Sequence, residues 1–150
     1  MKAKIIHSNK AAFMPLLLLG DEQSSLINQY LKDGTLFAFY QDDKLVGVAV
    51  VLSIDYETYE IKNLAIKPDW QGQGYGKAIL NYLEQYYLKT AKKLLVGTGE
   101  GSDNLIFYQK CGYQLAHLVP NFFLENYDHP IIENGIQLKD MRYLQKQLAK

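Results

Sequence analysis

The stretch that most constrains this chain is Gln71-Gly72-Gln73-Gly74-Tyr75-Gly76-Lys77, which follows Lys67-Pro68-Asp69-Trp70 and leads into a helical pattern beginning near Lys77. Three glycines in five residues let the backbone turn sharply and aim several N–H groups at one point. A helix directly behind the turn adds unsatisfied amides and the positive end of its dipole. Such a turn suits an anion, and a phosphate or pyrophosphate fits it best. Spacing excludes two familiar phosphate loops. A Walker loop requires glycine where Gln71 stands and Ser or Thr where Ala78 stands. The dinucleotide fingerprint Gly-x-Gly-x-x-Gly fails because Lys77 occupies its third glycine position.

The segments around the loop alternate between strand and helix signals. Residues 4–7 read as an opening strand, and residues 11–19 as an apolar helix kept short by Pro15. Residues 24–31 form a second helix that ends at Asp33-Gly34. Residues 36–40, the turn Asp42-Asp43 and residues 45–53 predict an antiparallel hairpin, with residues 59–66 as the next strand. Past the loop, Ala78, Ile79, Tyr82, Leu83 and Tyr86 recur at helical spacing and cross over to a strand at residues 94–98. Ser102 or Asp103 can cap a helix carrying Ile106, Phe107 and Lys110, which Gly112 stops before a strand at residues 113–118. Residues 121–130 read as irregular and aromatic, and Asn134-Gly135 as a tight turn. The expected fold is a single α/β domain over residues 1–150, a mixed central sheet with helices on both faces, ending in a strand and a frayed tail from Gln145.

Composition narrows the function classes. At 150 residues the chain can bury one core, and its 16 basic and 16 acidic residues cancel. No global field therefore favours nucleic acid or an anionic membrane. Apolar runs such as residues 16–19 are too short to span a bilayer, and no secretory apolar region follows the N-terminus. A cytoplasmic protein, as monomer or homodimer, is expected. The lone Cys111 excludes an internal disulfide, and His7, His117 and His129 lack metal-site spacing, so no metal is expected.

What the loop does match is Gln-x-x-Gly-x-Gly between a strand and a helix. The strand is Glu60-Ile61-Lys62-Asn63-Leu64-Ala65-Ile66, and Phe107-Tyr108-Gln109-Lys110-Cys111-Gly112-Tyr113 lies downstream. In this order, these stretches resemble the GNAT N-acetyltransferase family, whose pyrophosphate-gripping loop reads Gln/Arg-x-x-Gly-x-Gly/Ala. Asn121-Phe122-Phe123 and Glu133-Asn134-Gly135 with Asp140-Met141 are similar to a little-characterised bacterial branch of small acetyltransferases.

The resemblance implies acetyl-CoA as cofactor and transfer of its acetyl group to a primary amine, on a small molecule or a peptide, by direct attack in a ternary complex. It implies that the amides of Gln71, Gly72, Gln73, Gly74, Tyr75, Gly76 and Lys77 hold the pyrophosphate, with the Gln71 and Lys77 side chains adding contacts. The peptide groups of Leu64, Ala65 and Ile66 would pair with the pantetheine arm, and the Leu64 amide, at the family's strand bulge, would serve the oxyanion. Presenting a neutral amine with a pKa of about 10.4 at neutral pH costs about 4.6 kcal/mol. Glu60 matches the general base of the histone-acetylating branch; a simple ion pair with a neighbouring lysine, or a water acting as base, stays open. Tyr108 matches the family's general acid, and its ordinary pKa of about 10 exceeds a thiol's about 8.5. Where many members have a pantetheine-binding Asn, this chain has Gly101; Asn104, a turn further on, is the candidate replacement. Asp55, Glu57, Glu60, Glu125, Asp128 and Glu133 would attract a cationic acceptor if they converge. A non-catalytic acyl-CoA sensor and a purely structural domain are the competing readings.

Overall fold

The computed structural model describes residues 1–148. The chain opens with β1 (Lys2–Ile6), a 3₁₀ turn at Lys10–Phe13, α1 (Met14–Gly20) and α2 (Ser24–Leu31). Pro15 sits in the first turn of α1, where its missing N–H costs nothing. Next come β2 (Thr35–Gln41), β3 (Lys44–Ser53) and β4 (Thr58–Ile66). The β2–β3 turn takes Asp42 and Asp43 at φ 51° and 67°, a left-handed conformation that Asp tolerates better than most residues. After the glycine loop follow α3 (Tyr75–Tyr87), β5 (Lys93–Gly99), α4 (Asp103–Lys110) and β6 (Gln114–Val119). The chain closes with α5 (Phe122–Asn126), the small hairpin β7 (Ile132–Glu133) and β8 (Ile136–Gln137), and β9 (Met141–Gln147).

Seven strands form one sheet in the order β1-β2-β3-β4-β5-β9-β6. Neighbours are antiparallel except β4 and β5, the pair joined through α3. Because successive side chains on a strand face opposite ways, β2 and β3 feed two cores. Phe37, Phe39, Ala49 and Val51 pack with Ile79, Leu80 and Leu83 of α3. Leu36, Val48 and Val50 pack with Leu16 and Leu17 of α1 and Ile27 and Leu31 of α2. The mixed sheet with helices on both faces is thus the fold observed.

Strand β4 carries the feature that positions the site. Val50 pairs with Asn63 but Val51 pairs with Ile61, so Lys62 is an extra residue, a β-bulge. The bulge reverses the alternation. Ahead of it Ile61 faces the α3 core, while beyond it Asn63 and Ala65 face α1 and α2. Parallel pairing with β5 also ends there, at Ile61 and Val96. From that point β4 and β5 part.

Three expectations need correction. Helix α3 starts at Tyr75, two residues earlier than the apolar spacing suggested, because Gly74 at φ 87° already makes the N-cap. Residues 122–126, expected to be irregular, form α5, which residue Lys139 anchors by accepting the Phe123 N–H at 3.0 Å. The tail does not fray at Gln145: Gln145, Lys146 and Gln147 pair with Leu95, Leu94 and Lys93. Between β5 and β6 the backbone ladder outweighs poor strand propensity. Lys146 is further held by Glu84 and by the Cys111 carbonyl, each at 2.9 Å. The last two residues of the expected tail, 149 and 150, lie outside the described residues. Among the described residues no helix is long and apolar enough to cross a membrane.

Candidate active site

Where β4 and β5 diverge, a cleft of about 400 Å³ opens. Leu64, Ala65 and Ile66 form one wall and Val96, Gly97, Thr98 and Gly99 the other. The hydrogen-bond pattern shows what that wall offers. Lys67 donates its N–H to the Val46 carbonyl at 2.8 Å. In an antiparallel ladder hydrogen-bonded positions alternate, so Ala65 bonds β3 while Leu64 and Ile66 turn their peptide groups to the opposite edge. That edge is the cleft. Gln71 ties the glycine loop to it, donating from Nε2 to the Ile66 carbonyl at 2.9 Å.

The loop itself is open. Gly72 and Gly74 have φ of 74° and 87°, and a Cβ built on either would meet no atom within 4 Å. These glycines serve a backbone conformation costly for other residues and leave the approach to their amides free. Gly76 serves packing, since its Cβ would lie 3.0 Å from the Phe107 ring. Helix α3 has no side-chain cap and no acidic residue in its first turn, so its N-terminal amides and dipole are available to an anion. Lys77 is exposed in that turn, Gln73 folds back onto the Asp69 carbonyl, and Trp70 packs edge-on against Tyr75. A phosphate-bearing ligand with an amide-containing arm fits this donor set: uncapped amides and a lysine at one end, strand peptides without a β5 partner along the wall.

Helix α4 supplies two more lining residues. Ser102 caps it, its Oγ accepting the Asn104 N–H at 3.2 Å. Asn104 and Tyr108, four residues apart, share one helix face and both border the cleft. The Tyr108 hydroxyl has no hydrogen-bond partner among the described residues, and burial pushes its pKa well above the ordinary 10.0, so it remains a proton donor.

Glu60 stands elsewhere. It lines an adjoining cavity of about 190 Å³ on the α2 side, with Asp21, Tyr30 and Tyr143. It is 7% exposed, and burial raises its carboxyl above the ordinary 4.5 against the opposing pull of Lys62, whose Nζ lies 3.3 Å away. Ile61, Lys62 and Gly97 border both cavities, so Glu60 and Tyr108 approach the same strand gap from two sides.

Of the acceptor-side acids expected from sequence, Glu60 and Glu133 reach the cavities. Asp55 caps its own turn by accepting the Glu57 and Thr58 N–H groups, Glu57 pairs with Lys92, and Asp128 pairs with His129. Glu125 is exposed on α5 and lines neither cavity. The bulge residue is Lys62, two positions before the Leu64 amide that was expected to sit there, although Leu64 still faces the cleft. Asp21, bordering both cavities, had no sequence signal: it reads as the residue after a helix-ending glycine. Cys111 lines neither cavity, and burial pushes its thiol up. Among the described residues no group of three or more His, Cys, Asp or Glu could hold a metal.

Residues 32–115, more than half the chain, match the model of the acetyltransferase (GNAT) domain. An uncharacterized N-acetyltransferase, YvbK, of Bacillus subtilis is 39% identical over 128 residues, covering 84% of this chain and 83% of that protein. A GNAT acetyltransferase from Elizabethkingia anophelis, solved with acetyl-CoA bound, superposes with TM-score 0.92 at 36% identity over 97% of each chain. A Bacillus subtilis acetyltransferase solved in complex with CoA gives TM-score 0.87 at 34% identity, again over 97% of each chain. With the domain match, the strand gap and the uncapped glycine loop in agreement, the chain belongs to the GNAT family of acetyltransferases.

Proposed function

We propose that this enzyme moves an acetyl group from acetyl-CoA to a primary amine by direct attack within a ternary complex. The single observation that carries the reading is the strand gap. It sets the Leu64 and Ile66 peptides, which have no β5 partner, against Tyr108 and ends at the open glycine loop.

In this reading the amides of residues 71–77 and the Lys77 ammonium hold the pyrophosphate, and Leu64, Ala65 and Ile66 hold the amide arm as an added strand partner. Asn104 and Gln71 border the arm's path. When bound, acetyl-CoA supplies a thioester whose carbonyl accepts the amine and whose sulfur leaves. The Leu64 N–H is aimed where the developing oxyanion is stabilised. Glu60 takes the ammonium proton, and its raised pKa suits a base working against an amine. Tyr108 returns a proton on the other side of the gap, and its burial keeps that proton in place at neutral pH. Cys111, which lines neither cavity and whose thiol burial keeps protonated, has no role as an acetyl carrier.

Calorimetric titration of acetyl-CoA and dephospho-CoA into the protein and into Gly74→Glu tests the reading. Glutamate at φ 87° is strained and puts a negative charge at the anion site, so binding should fall by about 100-fold or more. Equal binding by the variant, or none by the parent, would overturn it.

A further inference from the structure

The acceptor side of the cleft holds a carboxylate that the chemistry above does not use. Asp21 Oδ1 accepts the Tyr127 hydroxyl at 2.6 Å and Oδ2 accepts the Tyr30 hydroxyl at 3.1 Å. Asn63 Nδ2 donates to the Tyr30 oxygen at 3.0 Å and to the Leu17 carbonyl at 2.9 Å. The Asn63 donation commits the Tyr30 proton to Asp21. Residues from α1, α2, β4 and the segment after α5 thus converge on one anion. No cation reciprocates among the described residues. Lys62, which acts on Asp21 only through space, has its ammonium 3.3 Å from Glu60. A half-buried carboxylate held by two neutral hydroxyls, with Lys62 acting on it only from a distance while paired to Glu60, is costly unless a closer cation completes it.

Asn63 itself is committed to this network. Asn63 is 3% exposed, borders the larger cleft, and its Oδ1 has no hydrogen-bond partner. That oxygen faces Gly20, lying 2.2 Å from the position a Cβ would take there. Shut against Gly20, that oxygen meets no ligand; Asn63 holds the Tyr30–Asp21 pair in place, and Asp21 is the acceptor that lines both cavities. Around Asp21 stand Phe122, Tyr127 and Tyr143, whose rings favour a cation and an apolar stem, while the Tyr30 ring already carries the Lys62 ammonium 5.6 Å from its centroid.

We propose that Asp21 selects the acceptor: its carboxylate receives the ammonium of a small primary amine whose apolar stem lies against Phe122 and Tyr127. This rests on the acetyltransferase reading and names its substrate class. Asp21 binds the cation, and Glu60, bordering the same smaller cavity, accepts the N–H proton that must leave before attack. An acceptor carrying its own carboxylate is disfavoured, because Asp21, Glu22 and Glu133 at the walls repel it and Lys62 is engaged by Glu60.

The test compares 2-phenylethylamine with 2-phenylethanol, which has the same stem and a neutral head. Both are titrated calorimetrically into the parent protein, Asp21→Asn and Tyr127→Phe, and acetyl transfer to the amine is then assayed. A charge-assisted hydrogen bond implies that the parent prefers the amine by about 10- to 100-fold. Asp21→Asn should abolish that preference while still binding the alcohol, and should raise the amine KM more than it lowers kcat. Tyr127→Phe should weaken the preference about threefold. L-Phenylalanine should bind the parent more weakly than the amine. A parent without preference for the amine, or a folded Asp21→Asn that keeps it, overturns the assignment. If Asp21→Asn melts early, an unchanged preference in Tyr127→Phe does the same. Amine preference lost in Asp21→Asn but no acetyl transfer by the parent would sustain the binding role and overturn the acetyltransferase reading.

Discussion

The two halves of β4 obey different rules. From Thr58 to Ile61 the strand has a partner on each side, β3 and β5, and Ile61 is 2% exposed in the α3 core. From Leu64 to Ile66 it keeps β3 and loses β5, leaving Leu64 and Ile66 with peptide groups turned to a cleft. One inserted residue, Lys62, marks the boundary. A saturated ladder gives stability and an unsaturated one gives a binding edge. Here a single strand is divided between them, so the site inherits the rigidity of the core without being part of it.

Four substitutions would break or sharpen this contrast. The largest effect should come from Tyr108→Phe in the open half, which removes the proposed acid; kcat should fall about 10²- to 10³-fold with little change in melting temperature. A variant with unimpaired kcat would remove Tyr108 from the chemistry. Ile61→Ala in the closed half should do the reverse, costing about 2–4 kcal/mol in denaturant unfolding while the folded fraction keeps its kcat. Glu60→Gln, at the boundary, should lower kcat/KM by about 10- to 100-fold at neutral pH. It should also erase the acid limb of the pH profile, whose midpoint lies above the ordinary 4.5 because burial raises Glu60. The same shift fixes the sign for stability. The stability Glu60 lends through its raised pKa is fully present below the ordinary value and is lost as pH rises through the folded one. Melting temperatures of the parent should therefore show a drop across that window that Glu60→Gln lacks. Smallest of all, Cys111→Ala should change acetyl transfer by less than about twofold, and an acetyl group found on Cys111 and passed to an amine would defeat direct transfer.

Local signals made much of the fold legible. The apolar stretches of β2 and β3, the Asp42-Asp43 and Asn134-Gly135 turns, and the i, i+3, i+4 spacing in α3 each act within a few residues, and each appears as expected. Helix α5 was missed because its five residues carry no repeat, and its hold comes from Lys139 far along the chain. The expected fraying at Gln145 misjudged a polar sequence that only pairing on both edges makes a strand.

The site divides the same way. Glycines at positive φ in the Gln71–Lys77 loop, and the Asn104 and Tyr108 positions on one turn-and-a-bit of helix, follow from short-range geometry, so the chain's own spacing determined them. What the tertiary structure decided is which acids meet. Asp55 and Asp128 satisfy themselves locally, whereas Asp21 is gripped by Tyr127, 106 residues away, and by Tyr30, whose oxygen in turn accepts from Asn63. Local hydrogen bonds and periodicities are written in neighbouring residues; a carboxylate's surroundings are set by elements that only folding brings together, and no spacing in the sequence encodes that convergence.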